Sequence, residues 1–165
     1  MPIVEHSAWA AATVTDAFDL SMSHARRFDW DPFVKAQRFL DGARRPAVGV
    51  RTWTKDRRGL VMVTRYLTFQ RPHRVGMKME EGPPFFRTFS GAWRFEERDD
   101  GCDVHFRYNF TCRPRLLAPL MERVGVWYLG RDIRRRVETF AAALTNGMRA
   151  DGDEAHDGDE PHWCR

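Results

Sequence analysis

Two arginines fall where a strand pattern requires apolar side chains, and their chemistry is the most specific in the chain. Arg65 shares its parity with Val61, Val63, Leu67 and Phe69, and Arg87 shares one with Phe89 and Trp93. Strand side chains alternate between two faces, so each guanidinium is expected on an apolar face. An unpaired charge there is expensive. The partner of Arg65 is then an oxygen of a bound molecule, a carbonyl or an enolate; in the plainer reading Arg65 is exposed at the surface or pairs with Glu80 or Glu81. Tyr66 and Tyr108, the latter on an inward parity, add hydroxyls able to pass a proton.

Other chemistries find no support. The chain has no Gly-x-Gly-x-x-Gly run, no phosphate-binding loop and no Ser-x-Gly nucleophile. His6, His24, His73, His105, His156 and His162 share no ligand spacing, and His105 sits on the polar parity of its strand, so no metal and no cofactor are expected. Of the three cysteines, Cys102 and Cys112 fall on an apolar parity, as buried free thiols do; Cys164 is near the end.

The elements that must position these residues centre on Phe85 to Arg113. Phe89, Gly91, Trp93 and Phe95 alternate with polar neighbours, as do Cys102, Val104, Phe106, Tyr108, Phe110 and Cys112. That period of two predicts two strands with one apolar face, joined at the Asp99-Asp100-Gly101 turn. Upstream, a strand is predicted over Ser7 to Val14, then a helix from Thr15-Asp16 that Asp29-Trp30-Asp31-Pro32 breaks. A short helix over Pro32 to Arg38 follows. After Asp41-Gly42 come strands over Val48 to Lys55, Leu60 to Gln70 and Val75 to Glu81. A long helix runs from about Leu116 to Met148. Its stripe is Ile133, Val137, Phe140 and Leu144, extended backwards by Leu120, Val124 and Trp127. Gly125 and Gly130 within it predict a bend or a close approach to the sheet or to a ligand. Runs of strands with segregated helices define the α+β class.

Composition sets the bounds. A chain of 165 residues, 42% hydrophobic, with twelve Phe and six Trp, is one domain with a bulky core or an aromatic-lined cavity. No apolar stretch is long enough to span a bilayer and no basic-then-apolar leader opens the chain, so a soluble, cytoplasmic protein is expected. Residues 151–165 carry a net −5, leaving +9 on residues 1–150. The tail is expected to be disordered, outside a domain covering 1–150. The arginines are scattered apart from Arg134-Arg135-Arg136, so nucleic acid is not an expected partner. A monomer or homodimer is expected. The basic face carrying Arg131, Arg134 and Arg135 leaves open an interaction module for an anionic partner.

The order of elements and several local runs resemble the START-like superfamily called SRPBCC, in its polyketide cyclase/dehydrase and coenzyme-Q-binding branch. The runs are Asp29-Trp30-Asp31-Pro32, Glu81-Gly82-Pro83-Pro84-Phe85, Gly91-Ala92-Trp93-Arg94-Phe95, Asp100-Gly101 and Tyr108-Asn109-Phe110. Polyketide aromatase/cyclases have a similar Glu-x-Gly-Pro-Phe run before a Trp-bearing strand. The resemblance spans about residues 7 to 148. It implies a helix-grip fold: a curved antiparallel sheet of six to seven strands wrapped around a long C-terminal helix, with two short helices after the first strand. It also implies a cavity between sheet and helix. The function expected is binding or carrying an apolar or polycyclic small molecule, such as a polyketide, quinone or lipid. The alternative is an aromatase/cyclase closing rings by aldol chemistry, with Arg65 and Tyr108 catalytic. Candidate ligand-binding residues are Trp30, Trp53, Phe69, Met77, Met79, Phe86, Arg87, Phe89, Trp93, Phe95, Phe106, Phe110 and Trp127.

Overall fold

The computed structural model describes residues 2–114 and 117–150; the acidic segment 151–165, with its expected disorder, lies outside them. Seven strands form one antiparallel sheet: β1 (Ile3–Ala10), β2 (Val34–Phe39), β3 (Arg51–Asp56), β4 (Val61–Gln70), β5 (Arg74–Glu81), β6 (Phe86–Arg98) and β7 (Gly101–Cys112). The spatial order is β1-β7-β6-β5-β4-β3-β2. Strands β2 to β7 are therefore a continuous meander, and β1 adds to its far side. Helices α1 (Val14–Met22) and α2 (Arg27–Trp30) carry the chain from one edge strand to the other. The last element, α3 (Ala118–Thr145), packs on β1 and β7.

The expected alternation holds in the β6–β7 hairpin. Trp93, Phe95, Cys102, Val104 and Phe110 are buried on one face, and Arg94 and Arg107 are exposed on the other. The turn residues are Asp99 and Asp100 alone, with Gly101 already paired to Arg98. Gly101 is needed for proximity rather than for a left-handed backbone: a Cβ there would lie 2.3 Å from the Ala10 carbonyl oxygen.

Upstream, three boundaries differ from expectation. The first strand ends at Ala10, because the Thr13 hydroxyl accepts from the Asp16 amide at 3.1 Å and caps a helix that starts at Val14. The strand expected from Val48 starts at Arg51, after an exposed Val48. The segment read as a helix over Pro32 to Arg38 is an edge strand. Asp31 ends α2, and its Oδ1 accepts the Phe33 amide at 3.0 Å, which turns the chain outward. The next six residues then satisfy their backbone against β3. So short an apolar-polar run fits either period, and pairing decides it.

Core packing is uneven along α3. Its C-terminal half buries Ile133, Val137, Phe140 and Leu144 completely. Phe140 meets Trp30 at 4.6 Å and Trp93 at 5.3 Å, and Trp93 stacks on Phe106 at 4.0 Å. This aromatic plug fills one end of the curled sheet. Toward the N-terminal end of α3, Leu120 is 65% exposed and Trp127 69%. Trp127 thus faces solvent, a correction to its place on the apolar stripe.

Gly125 sets how closely α3 lies on the sheet, since a Cβ there would be 2.8 Å from the Phe110 ring, whereas at Gly130 it would meet only Val4 at 3.7 Å. Chemical denaturation should separate the two. Gly125→Val is expected to cost about 1–3 kcal/mol through overpacking. Gly130→Ala is expected to gain up to about 1 kcal/mol from helix propensity.

Candidate functional site

Beyond the aromatic plug, sheet and helix part around a cavity of about 560 Å³. Its wall is largely apolar: Phe86 and Phe89 from β6, Phe106 from β7, Met62 from β4, Met77 from β5, and Met121 and Leu129 from α3. At its exposed rim stand Leu60 from the β3–β4 turn and Leu120, Val124 and Tyr128 from α3. Across this mouth Arg58 reaches Asp132 at 3.1 Å and covers the Tyr128 ring at 4.6 Å from its centroid. Volumes of about 300–1,000 Å³ with few polar groups are typical of small-molecule sites.

The polar groups lie deep. Arg27, from α2, and Arg136, from α3, both line the cavity, yet are only 5% and 6% exposed. One carboxylate, Asp31 at the end of α2, stands behind them. Its Oδ2 accepts from Arg136 Nε at 2.8 Å and from Arg136 Nη2, and lies 3.0 Å from Arg27 Nε. Arg136 Nη1 donates to the Tyr108 hydroxyl at 2.6 Å, and Arg27 Nη1 to the Ser21 carbonyl at 2.5 Å. Phe33 and Phe106 flank the Arg136 guanidinium at 5.1 and 5.3 Å.

These contacts set the protonation states. Burial opposes charge on Asp31, but the two guanidiniums outweigh it and hold the carboxyl below the usual range. Burial also opposes charge on Arg136, and the attraction of Asp31 more than restores it. For Arg27 the balance is reversed: burial pulls it down, Asp31 offsets only part, and the like charge of Arg136 adds to the loss. Burial raises both Tyr108 and Tyr66, partly opposed by Arg136 and Arg27 respectively. Beside Arg27, His24 stacks on Phe39 at 3.9 Å, and burial first and the Arg27 charge second hold it down to about 3.

Of the residues singled out in the sequence, the structure brings Met77, Phe86, Phe89, Phe106 and Tyr108 together in the wall. Trp30, Trp93, Phe95 and Phe110 are buried in the core. Phe69 is wedged edge-on against Phe18 at 5.2 Å, and Met79 packs on the core outside the wall. Trp53 lies on the outer face under Arg38 at 5.0 Å. Arg87 is exposed.

Arg65 also lies away from the cavity. It sits on the outer face, bound to Glu80 at 2.5 Å and to the Gly49 carbonyl at 3.0 Å. A register shift in the β4–β5 ladder explains this: between Tyr66 and Thr68 the extra residue, Leu67, is on β4, so Arg65 and Phe69 do not share a face. A bulge inverts parity. Thr64 and Tyr66 therefore face inward, and Tyr66 meets Phe69, three residues on, at 6.2 Å.

The sequence pattern does not single out the deep cluster of Arg27, Asp31 and Arg136. Arg136 reads as part of a basic run, although it lies between Ile133 and Phe140 on the apolar stripe of α3. The rule applied to Arg65, a charge at an apolar position, points to Arg136 when the helical period is used. On the outer face, Glu96, Asp103 and His105 bring ligand atoms within 4.8 Å of one another, but Arg94 and Arg98 already pair with the two carboxylates. No metal centre is assigned there.

A curled antiparallel sheet gripping a long C-terminal helix, with an apolar hollow between them, defines the helix-grip architecture of START-like proteins. Solved structures share it at low identity. A Thermus thermophilus protein, TTHA0849, aligns with a TM-score of 0.73 at 11% identity, over 88% of this chain and 98% of its own. A START superfamily protein from Mycobacterium smegmatis gives 0.64 at 13%, over 87% and 94%. The di-domain aromatase/cyclase StfQ of the steffimycin biosynthetic pathway gives 0.69 at 14%, over 87% of this chain and 50% of its own. No curated protein matches the sequence. Residues 1–145 match the family described as polyketide cyclase / dehydrase and lipid transport, and the chain belongs to that family. No helix among the described residues is long and apolar enough to cross a membrane.

Two measurements test the cluster. Asp31→Asn leaves two guanidiniums buried without a carboxylate, and denaturant unfolding should show a loss of about 3–5 kcal/mol. A neutral His24 in the fold opposes proton uptake that the unfolded chain accepts near pH 6.5. Stability from this residue is therefore full above pH 6.5 and falls as pH drops from 6.5 toward 3. At pH 5 the deficit is about 2 kcal/mol. Unfolding of wild type and His24→Phe at pH 7 and pH 5 should show that much less acid sensitivity in the variant.

Proposed function

We propose that this protein binds and carries an apolar small molecule, of the size of a polycyclic compound or a folded acyl chain, in the cavity between the sheet and α3. The observation that carries this reading is the 560 Å³ hollow itself, walled by Phe, Met and Leu side chains in a domain whose other end is solidly packed. A polyketide, a quinone or a lipid each fits that description. The name of StfQ, an aromatase/cyclase of a biosynthetic pathway, and the family's description support the same class of ligand.

A second reading, ring closure of a polyketide, draws on one feature. The Tyr108 hydroxyl accepts from Arg136, which leaves its own proton free to be donated to a carbonyl oxygen in the cavity. Tyr108 then acts as the proton donor. Arg65, held by Glu80 outside the wall, takes no part in this version.

The neutral fluorophore N-phenyl-1-naphthylamine tests the first reading. It should bind one-to-one, and Thr64→Phe, which fills the hollow from β4, should weaken it by about tenfold or more without lowering the melting temperature. Unsaturable binding, or an affinity indifferent to the filled wall, would remove the carrier reading. Tyr108→Phe should keep probe affinity under both readings and lose turnover of a poly-β-ketone chain only under the second.

A further inference from the structure

The buried end of the cavity does not balance its charge. Two guanidiniums line it, and among the described residues the carboxylate paired with either is Asp31 alone. The other acids of the wall form no ion pair with either guanidinium. Asp132, one turn before Arg136 on α3, is turned toward Arg58 at the mouth. Asp56 uses its Oδ1 to accept the amides of Arg58 and Leu60 in the β3–β4 turn, and its buried Oδ2, without a hydrogen-bond partner, is not among the charges that act on Arg27. Asp31 itself is saturated: Oδ2 serves Arg136 and Arg27, and Oδ1 takes the Phe33 amide. The cluster therefore carries one net positive charge in a site that excludes most water, next to the Tyr66 and Tyr108 side chains.

A buried charge without a counter-ion is costly, and a fold that keeps one has a use for it. Arg136 has its partners within the protein, an ion pair and the Tyr108 hydroxyl. Arg27 shares the same Asp31 oxygen only through Nε and spends one donor on the Ser21 carbonyl. A guanidinium presents five N–H donors in a planar fork that matches a carboxylate. Arg27 is the cation with capacity left, and it borders the cavity.

Resting on the binding reading above, we propose that the ligand is an acidic amphiphile: an apolar body with a carboxylate, or an equally anionic enolate or phenolate, that enters head first and pairs with Arg27 at the closed end. The mouth favours this orientation. Its rim is apolar at Leu60, Leu120 and Val124, and its polar pair, Arg58 with Asp132, is already neutralised. An anionic head has nothing to gain there and, beyond, a guanidinium that shares its only carboxylate with a second one.

Anthracene-2-carboxylate and its neutral near-isostere anthracene-2-carboxamide separate shape from charge, and both can be titrated by fluorescence alongside N-phenyl-1-naphthylamine. Wild type should bind the carboxylate about tenfold or more tightly than the carboxamide. Arg27→Gln keeps an N–H donor, removes the charge and leaves the Asp31–Arg136 pair neutral, so the fold should persist. Its two affinities should differ by less than about twofold, with the circular dichroism spectrum of the wild type retained. Equal binding of acid and amide to wild type overturns the proposal whatever the variant does. So does a preference for the acid that survives in Arg27→Gln. If neither anthracene nor the neutral fluorophore binds wild type, the cavity reading fails and this inference with it. If the fluorophore binds and the acid gains nothing, the inference fails alone.

Discussion

The ion pair between Asp31 and Arg136 joins parts of the chain 105 residues apart. Asp31 closes α2 at the corner where the chain turns into edge strand β2, and Arg136 lies midway along α3. Through the Tyr108 hydroxyl the same guanidinium also reaches β7. One side chain thus fixes three elements relative to one another where they surround the inner end of the cavity. Removing two such charges from water costs several kcal/mol each, repaid only by good geometry and satisfied hydrogen bonds. Both conditions are met here: Asp31 spends its lone pairs on two guanidiniums and an amide, and the flat face of Arg136 lies against Phe33 and Phe106.

A hollow in a domain of this size forgoes dispersion contacts that a filled core would make. The fold compensates by concentrating its packing. Trp30, Trp93, Phe95 and Phe140 interlock at one end, with Phe18 and Phe69 edge-on beside them. At the other end the same β6–β7 hairpin turns Phe86, Phe89, Phe106 and Tyr108 into the wall of the hollow. The aromatics of the chain are accordingly divided between a solid part and a wall, and parity along a strand does not distinguish them. Phe110 and Phe106 share a face of β7; the first lies under Gly125 and the second borders the cavity.

That division explains how far the sequence can be read. Period-two alternation locates the β6–β7 hairpin, and a three-four spacing locates the buried half of α3, because both segments are long and present one face to a continuous core. Segment 32–38 reads wrongly as a helix because seven residues carry too little periodicity, and pairing with β3 settles the matter. Arg65 is expected inward only if alternation runs through β4 unbroken, and bulges cannot be seen in a list of residues. Conversely, Arg27 and Asp31 lie in and just after a short helix with no apolar period of its own, so their burial comes from tertiary packing alone. Arg136 is legible in principle. Its neighbours Arg134 and Arg135 are exposed, and the run of three obscures the one residue that faces inward.

The uneven burial of α3 also bears on how the hollow communicates with solvent. From Ile133 onward the helix is anchored by buried apolar side chains; before Leu129 it rests on the Gly125–Phe110 contact, on Arg58 over the Tyr128 ring, on the Cys112 amide donating to Glu122, and on the partly buried Ala118 and Met121. Free energies of local opening follow the contacts that must break. Separating the first three turns of α3 from the sheet therefore exposes far less apolar surface than separating the turns that follow, so the helix is least firmly held where it borders the mouth of the hollow.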